Sequence, residues 1–186
     1  MNADMPDIGI IYLKDSFNDS ELETLVNELA AHNLRLAAKE RSPYINASID
    51  IFVPFLQIML SPEMVAALSQ GLLTNATYDA IKMLLAFVRK KFHHHPICII
   101  QSGKVTEETA NIHFVVGNNL LILPIDVDDK KYQYTVDRFL ELSASTSPEK
   151  TIYSFYSEEK DQIIRKTEEE IIREEYEKWK KDNQHL

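Results

Sequence analysis

The stretch Ile8-Gly9-Ile10-Ile11-Tyr12-Leu13, continued by Lys14-Asp15-Ser16-Phe17-Asn18-Asp19-Ser20 and then Glu21 to Leu29, decides the fold. Its first six residues are an apolar run bounded by polar ones, the mark of a buried strand. Ser20 and Glu23 have capping-box spacing, and Leu22, Leu25, Val26 and Leu29 recur on one helical face. A strand therefore leads straight into a helix, the unit from which helix-covered sheets are built.

The same alternation continues outward. His32 and Asn33 close the helix, and Leu34 to Lys39 reads as a second strand. Ser42-Pro43 breaks the chain, Tyr44 to Val53 is expected to include a short helix, and Phe55 to Leu60 suits a third strand. Ser61-Pro62 marks a helix start, since proline is tolerated in the first turn, with Met64, Val65 and Leu68 on its apolar face. After Gly71 and Asn75, the residues Tyr78, Ile81, Leu84, Leu85 and Val88 keep helical spacing as far as Phe92. Pro96 stops that helix before the apolar strand Ile97 to Ile100. Asn111 to Val116 and Leu120 to Ile125 read as a hairpin across Gly117-Asn118-Asn119, where positive φ is easily adopted. Val136, Phe139 and Leu140 mark a further helix.

The expected class is α/β: a three-layer, flavodoxin-like sandwich with a mixed, mainly parallel sheet, a C-terminal hairpin and a long C-terminal helix. A ferredoxin-like α+β sandwich is the alternative. Ser143 to Pro148 is small and polar, so the organisation expected is a domain over 1–145, a linker over 146–156 and a charged amphipathic helix over 157–186. In that last segment Glu169 with Arg173, Glu174 with Lys178 and Glu177 with Lys181 have favourable i,i+4 spacing. Ile164, Ile171, Ile172, Tyr176 and Trp179 supply its sparse apolar stripe.

At 186 residues the chain has room for one ordinary domain, and 45% hydrophobic with 26% charged residues is a globular balance. Twenty-nine acidic against 20 basic residues give a net charge of −9, which repels phosphate backbones and argues against nucleic acid as a partner. The single cysteine, Cys98, cannot form an internal disulfide, and the N-terminus lacks the basic and apolar segments of a signal peptide, so cytoplasm is the expected location. From Ile51 to Leu68 the only charge is Glu63. Pro54, Gln57, Ser61, Pro62 and Glu63 interrupt that run too often for a membrane span of about twenty apolar residues, so a buried strand beside a buried helix is expected, with a membrane-associated segment as the alternative.

The segment Leu56-Gln57-Ile58-Met59-Leu60-Ser61-Pro62-Glu63-Met64, preceded by strand, helix, strand and helix, resembles Toll/interleukin-1 receptor (TIR) domains over residues 8–100. In that resemblance Ser61 matches the serine after the central strand, and Asp15-Ser16 the polar loop after the first. TIR enzymes that cleave NAD carry a glutamate on the following helix and a tryptophan-cysteine pair. Here Glu63 comes too early and no such pair occurs. The resemblance thus implies a fold and a scaffolding role, not NAD cleavage.

Other clusters have plain structural readings. His93-His94-His95 would point about 100° apart on a helix, so the three cannot converge on one metal, and they suit a helix C-terminus beside Arg89, Lys90 and Lys91. A metal set of His93, His95, Asp126 and Asp128 is the alternative. Asp126, Asp128 and Asp129 also suit a helix cap. Asp15, Ser16, Asp19, Ser61 and Asp126 are the candidates for a ligand cleft at strand ends, although the loop after the first strand lacks the glycines of a dinucleotide or phosphate loop. Cys98 reads as a small buried strand residue, and His113 as a packed or exposed strand histidine in place of a catalytic one. No cofactor and no catalytic set is expected. The leading expectation is an interaction or regulatory domain whose C-terminal helix binds a protein partner or a second copy. The rival is a nucleotide- or metal-dependent enzyme using the cleft.

Overall fold

Ile8–Leu13 forms strand β1, with Ile8, Ile10 and Tyr12 buried and the residues between them half-buried. The computed structural model describes residues 5–42, 55–93, 96–101 and 104–182, so the short helix expected within Tyr44–Val53 lies outside the described residues. After β1 the chain turns through Asp15, at a φ of 65°, into helix α1 (Asp19–Ala31). Its capping box is Asn18–Glu21, two residues ahead of the expected Ser20–Glu23. Asn18 Oδ1 accepts from the Glu21 N–H at 2.9 Å, and Glu21 Oε2 accepts from the Asn18 N–H at 2.9 Å. Lys91 reaches Glu21 from another helix at 2.5 Å, a tertiary tie that local spacing does not display. Asn33, at a φ of 59°, ends the helix in the left-handed conformation usual after a C-cap.

The remaining elements are β2 (Leu36–Arg41), β3 (Leu56–Leu60), α2 (Pro62–Ser69), α3 (Asn75–Phe92), β4 (Pro96–Gln101), β5 (Lys104–Thr109), β6 (Ile112–Val116), β7 (Asn119–Ile122), α4 (Asp129–Ser145), β8 (Ile152–Ser157), β9 (Gln162–Thr167) and α5 (Glu168–Asp182). Seven strands form one sheet in the order β2-β1-β3-β6-β7-β8-β9, while β4 pairs with β5 in a separate two-stranded sheet. The pairs β1–β2, β3–β6 and β7–β8 are parallel, and each is bridged by a crossover containing at least one helix. The junctions β1–β3, β6–β7 and β8–β9 are antiparallel. The sheet is therefore mixed, as expected, with parallel pairing at three of its six junctions.

Register and alternation assign the two faces. Ile8 lies opposite Leu60, Ile10 opposite Ile58, Ile58 opposite Phe114, and Phe114 opposite Leu121. These residues point to one face, where they share a continuous core with Leu25 and Leu29 of α1, Met64 and Leu68 of α2, Leu84 and Val88 of α3, and Val136 and Phe139 of α4. The other face carries a smaller cluster of Leu120, Tyr153 and Ile171, with Val115 and Ile122 beside it. Helices α1 to α4 thus share one face, and α5 covers part of the opposite one.

The C-terminal segment departs from the expected linker and single helix. Residues 152–167 are a β-hairpin at the sheet edge, with Ser157 paired to Gln162, and the helix begins at Glu168 instead of Ser157. Glu158-Glu159-Lys160-Asp161 resembles the start of a charged helix, but it is the hairpin turn, closed by Asp161 at a φ of 48° and by Tyr156 donating its hydroxyl to the Asp161 carboxylate. The aromatic and β-branched residues on either side, Tyr153, Phe155, Ile163 and Ile164, favour a pleated surface over a helix.

Candidate interaction surface

Thr167 and Glu170 start α5 as a capping box. The Thr167 hydroxyl accepts from the Glu170 N–H at 3.3 Å, and the Glu170 carboxylate accepts from the Thr167 N–H at 2.7 Å. The Thr167 N–H and hydroxyl, both donating to it, hold the Glu170 carboxyl below the usual carboxylate range. Glu168, Glu169 and Glu170 occupy the first turn and Lys180 and Lys181 the last, which suits the helix dipole.

Among the described side chains of the helix, only Ile171, 6% exposed, is buried. It anchors α5 against Leu120 and Tyr153 of the sheet, so this member of the expected stripe faces inward. Ile164 leaves the stripe as well, because it lies in β9 opposite Phe155. Ile172, Tyr176 and Trp179 remain, at spacings of four and three, and they are 44%, 57% and 60% exposed. The Tyr176 and Trp179 rings stack at 6.1 Å with 25° between their planes. The other exposed large apolar residues among the described ones, Met5, Val26, Leu72 and Tyr134, are scattered over separate parts of the chain. Of the expected i,i+4 ion pairs, Glu169 instead meets Lys150 at 2.8 Å and Glu174 meets Lys166, so residues before and within the hairpin help to hold the helix.

The expected cleft residues do not meet at one point. Asp15, Ser16 and Asp19 follow the C-terminal end of β1. β3 runs against β1, and the Ser61 N–H donates to the Asp7 carbonyl at 2.9 Å, so Ser61 lies at the opposite end of the sheet. There its side chain caps α2 through the Met64 N–H at 3.3 Å. β7 runs in the same direction as β1, which brings Asp126 to the end occupied by Asp15. β3 and β6 still intervene, a separation of roughly 14 Å at normal strand spacing.

The metal alternative has no shared centre among the described residues. His93 is the C-cap of α3, its N–H donating to the Arg89 carbonyl at 2.8 Å, and His95 lies outside the described residues. Asp128 caps α4 through the Lys131 N–H at 3.0 Å. Asp129 takes Arg89 at 2.5 Å, and this hydrogen bond holds its carboxyl below the usual range. Arg89 also donates to the carbonyls of Ile125 and Val127 and lies 4.7 Å above the Tyr132 ring, whose hydroxyl bonds the Leu85 carbonyl. This guanidinium ties α3 to the start of α4.

Two further polar groupings escape a reading by motif. Asp128, Lys130, Lys131, Tyr134 and Asp161 line an open groove of about 520 Å³, beside which Tyr156, bonded to Asp161, has its phenol pushed up to about 12. On the α4 side of the sheet, Arg165 donates to Asn119 Oδ1 at 2.7 Å and to the Thr146 hydroxyl at 3.3 Å. Ser154, opposite Arg165, and Ser143 on α4 are buried, and their hydroxyls and Arg165 Nε have no hydrogen-bond partner among the described residues. Strand alternation would have exposed this cluster had 152–167 been read as two strands. Cys98 lies in β4, and His113 is buried in β6. No described helix is long and apolar enough to cross a membrane. No protein-family model, curated protein or solved structure matches the chain.

Proposed function

We propose that this chain is a protein-interaction domain that engages its partner through α5. The supporting observation is the exposed stripe of Ile172, Tyr176 and Trp179 on a helix held to the sheet by the buried Ile171 and by the ion pairs of Glu169 and Glu174. Aromatic residues grouped on a surface are the usual anchors of protein interfaces, because they bury a large area at small entropic cost. The anchor lies about 100° around the helix from Ile172, so docking on the sheet does not bury the stripe. The enzymatic reading depended on Asp15, Asp19, Ser61 and Asp126 sharing a pocket. With Ser61 at the far end of the sheet, the binding reading has the better support.

We further propose that the likeness to TIR domains extends to the β2-β1-β3 order, the beginning of the flavodoxin-like strand order, and stops at β3, whose direction opposes β1. The docking role is tested by placing a photo-crosslinking amino acid at Tyr176 in the intact chain, in the cells that produce it. Tyr134, half-exposed on α4, is the control site. A protein adduct, with another chain or with a second copy, is expected at 176 and not at 134. Equal or absent adducts at the two sites would remove the proposal.

A further inference from the structure

We infer that α5 pairs with α5 of a second copy of this chain, side by side and in parallel. The inference rests on the docking role just proposed and adds the identity of the partner. Its basis is the charge on the two flanks of the stripe. Written as a heptad with Ile172 and Trp179 at d and Tyr176 at a, the helix has Glu168 and Glu175 at g and Arg173 and Lys180 at e. One flank of the apolar stripe is thus acidic and the other basic.

In a parallel pair, each g residue faces the e residue five positions later on the other helix. Glu168 then meets Arg173 of the second copy, and Glu175 meets Lys180, with both contacts repeated by two-fold symmetry. In an antiparallel pair like flanks meet, so Glu168 opposes Glu175 and Arg173 opposes Lys180. The charges select the parallel arrangement.

A second feature points the same way. Among the described residues, the other glutamates of the first two turns already have partners within the chain: Glu169 on Lys150, Glu170 on Thr167 and Glu174 on Lys166. Among the described residues, like Glu177, Lys178 and Lys181 outside the seam, Glu168, Arg173, Glu175 and Lys180 form no ion pair. They are the four charges that the parallel pair uses. Self-repulsion from the net charge of −9 is screened beyond about 8 Å at physiological salt.

The test is sedimentation equilibrium of the full chain in 0.15 M salt. Wild type is expected to dimerise as its concentration rises. Glu175→Lys opposes Lys180 of the second copy and should raise the dimer Kd on the order of tenfold, since it converts two exposed attractions into repulsions. Glu175→Lys combined with Lys180→Glu restores complementary flanks and should return the Kd to the wild-type range. Antiparallel pairing gives the reverse sign, because Glu175→Lys would then face Glu168 and tighten the dimer. Tightening, or no change, overturns the inference. A wild type that stays monomeric while Tyr176 still crosslinks to a different protein overturns the parallel pairing and leaves the docking role standing. A monomer with no adduct overturns both.

Discussion

Ile171→Ala is the perturbation that reports most directly on how α5 is held. Ile171 is 6% exposed and touches a small cluster, so the substitution removes three buried carbons. At about 0.8 kcal/mol for each carbon, the transfer loss is about 2.4 kcal/mol. The cavity contribution should be small, because Val115 and Ile122 at the rim are only half-buried and the site can close. Ile172→Ala makes the same chemical change one position along, at 44% exposure and outside the cluster, and should cost less than about 1 kcal/mol. Urea unfolding of dilute protein distinguishes the two. Trp179, the only tryptophan, reports α5 by its emission, while circular dichroism reports all the helices. In Ile171→Ala the emission transition should move to lower urea than the dichroism transition, since α5 can leave the sheet before the main core melts. If Ile172→Ala destabilises as much as Ile171→Ala, or if both probes shift together by less than about 1 kcal/mol, the anchoring argument fails.

Replacing Arg89 by Met should cost about 2–4 kcal/mol in a urea melt, because it leaves the Ile125 and Val127 carbonyls without their donor; a loss under about 1 kcal/mol would mean that water serves them equally well. Ser154→Ala should be neutral or stabilising, since the buried hydroxyl bonds to nothing among the described residues, and a clear fall in melting temperature would reveal a partner for it. Glu21, Asp129 and Glu170 all have lowered carboxyl pKa values, Glu21 through its hydrogen bond from Lys91. Their contribution is fully present above the ordinary carboxylate pKa of about 4 and is lost as pH falls through the lowered folded values. The urea midpoint should therefore drop between pH 5 and pH 3, and the gap between wild type and Glu21→Gln should narrow over that range. A midpoint unchanged at pH 3 contradicts this.

Periodicity made most of the main core legible. Strand β1, helices α1 to α4 and the β6–β7 turn at Gly117 all follow from spacing and turn chemistry in the sequence. Strand direction did not. Leu56–Leu60 reads as a strand whichever way it runs, yet its reversal against β1 separates Ser61 from Asp15. The β8–β9 hairpin was hidden by its charged turn, whose composition also suits a helix start. For the candidate surface, the spacing of Ile172, Tyr176 and Trp179 was visible at once. The inward turn of Ile171 was not, since burial depends on Leu120 and Tyr153 arriving from distant parts of the chain. Ile164 was drawn into the stripe by the same misplaced helix start.

The strand order has a consequence for how the molecule is assembled. Apart from β2, every strand of the large sheet is added at one advancing edge, in the order in which the chain presents it: β1, β3, β6, β7, β8, β9. Each strand finds its neighbour already made, and all fully buried members of the main core precede Ser143. The hairpin and α5 join last, through a short pairing of β7 with β8 and the small second cluster. Folding can therefore advance from one edge of the sheet to the other, with the interaction helix as its final layer. Native-state hydrogen exchange would record this as a gradient, with the β8 and β9 amides opening well before those of β1, β3 and β6. Uniform protection across the seven strands would speak against it.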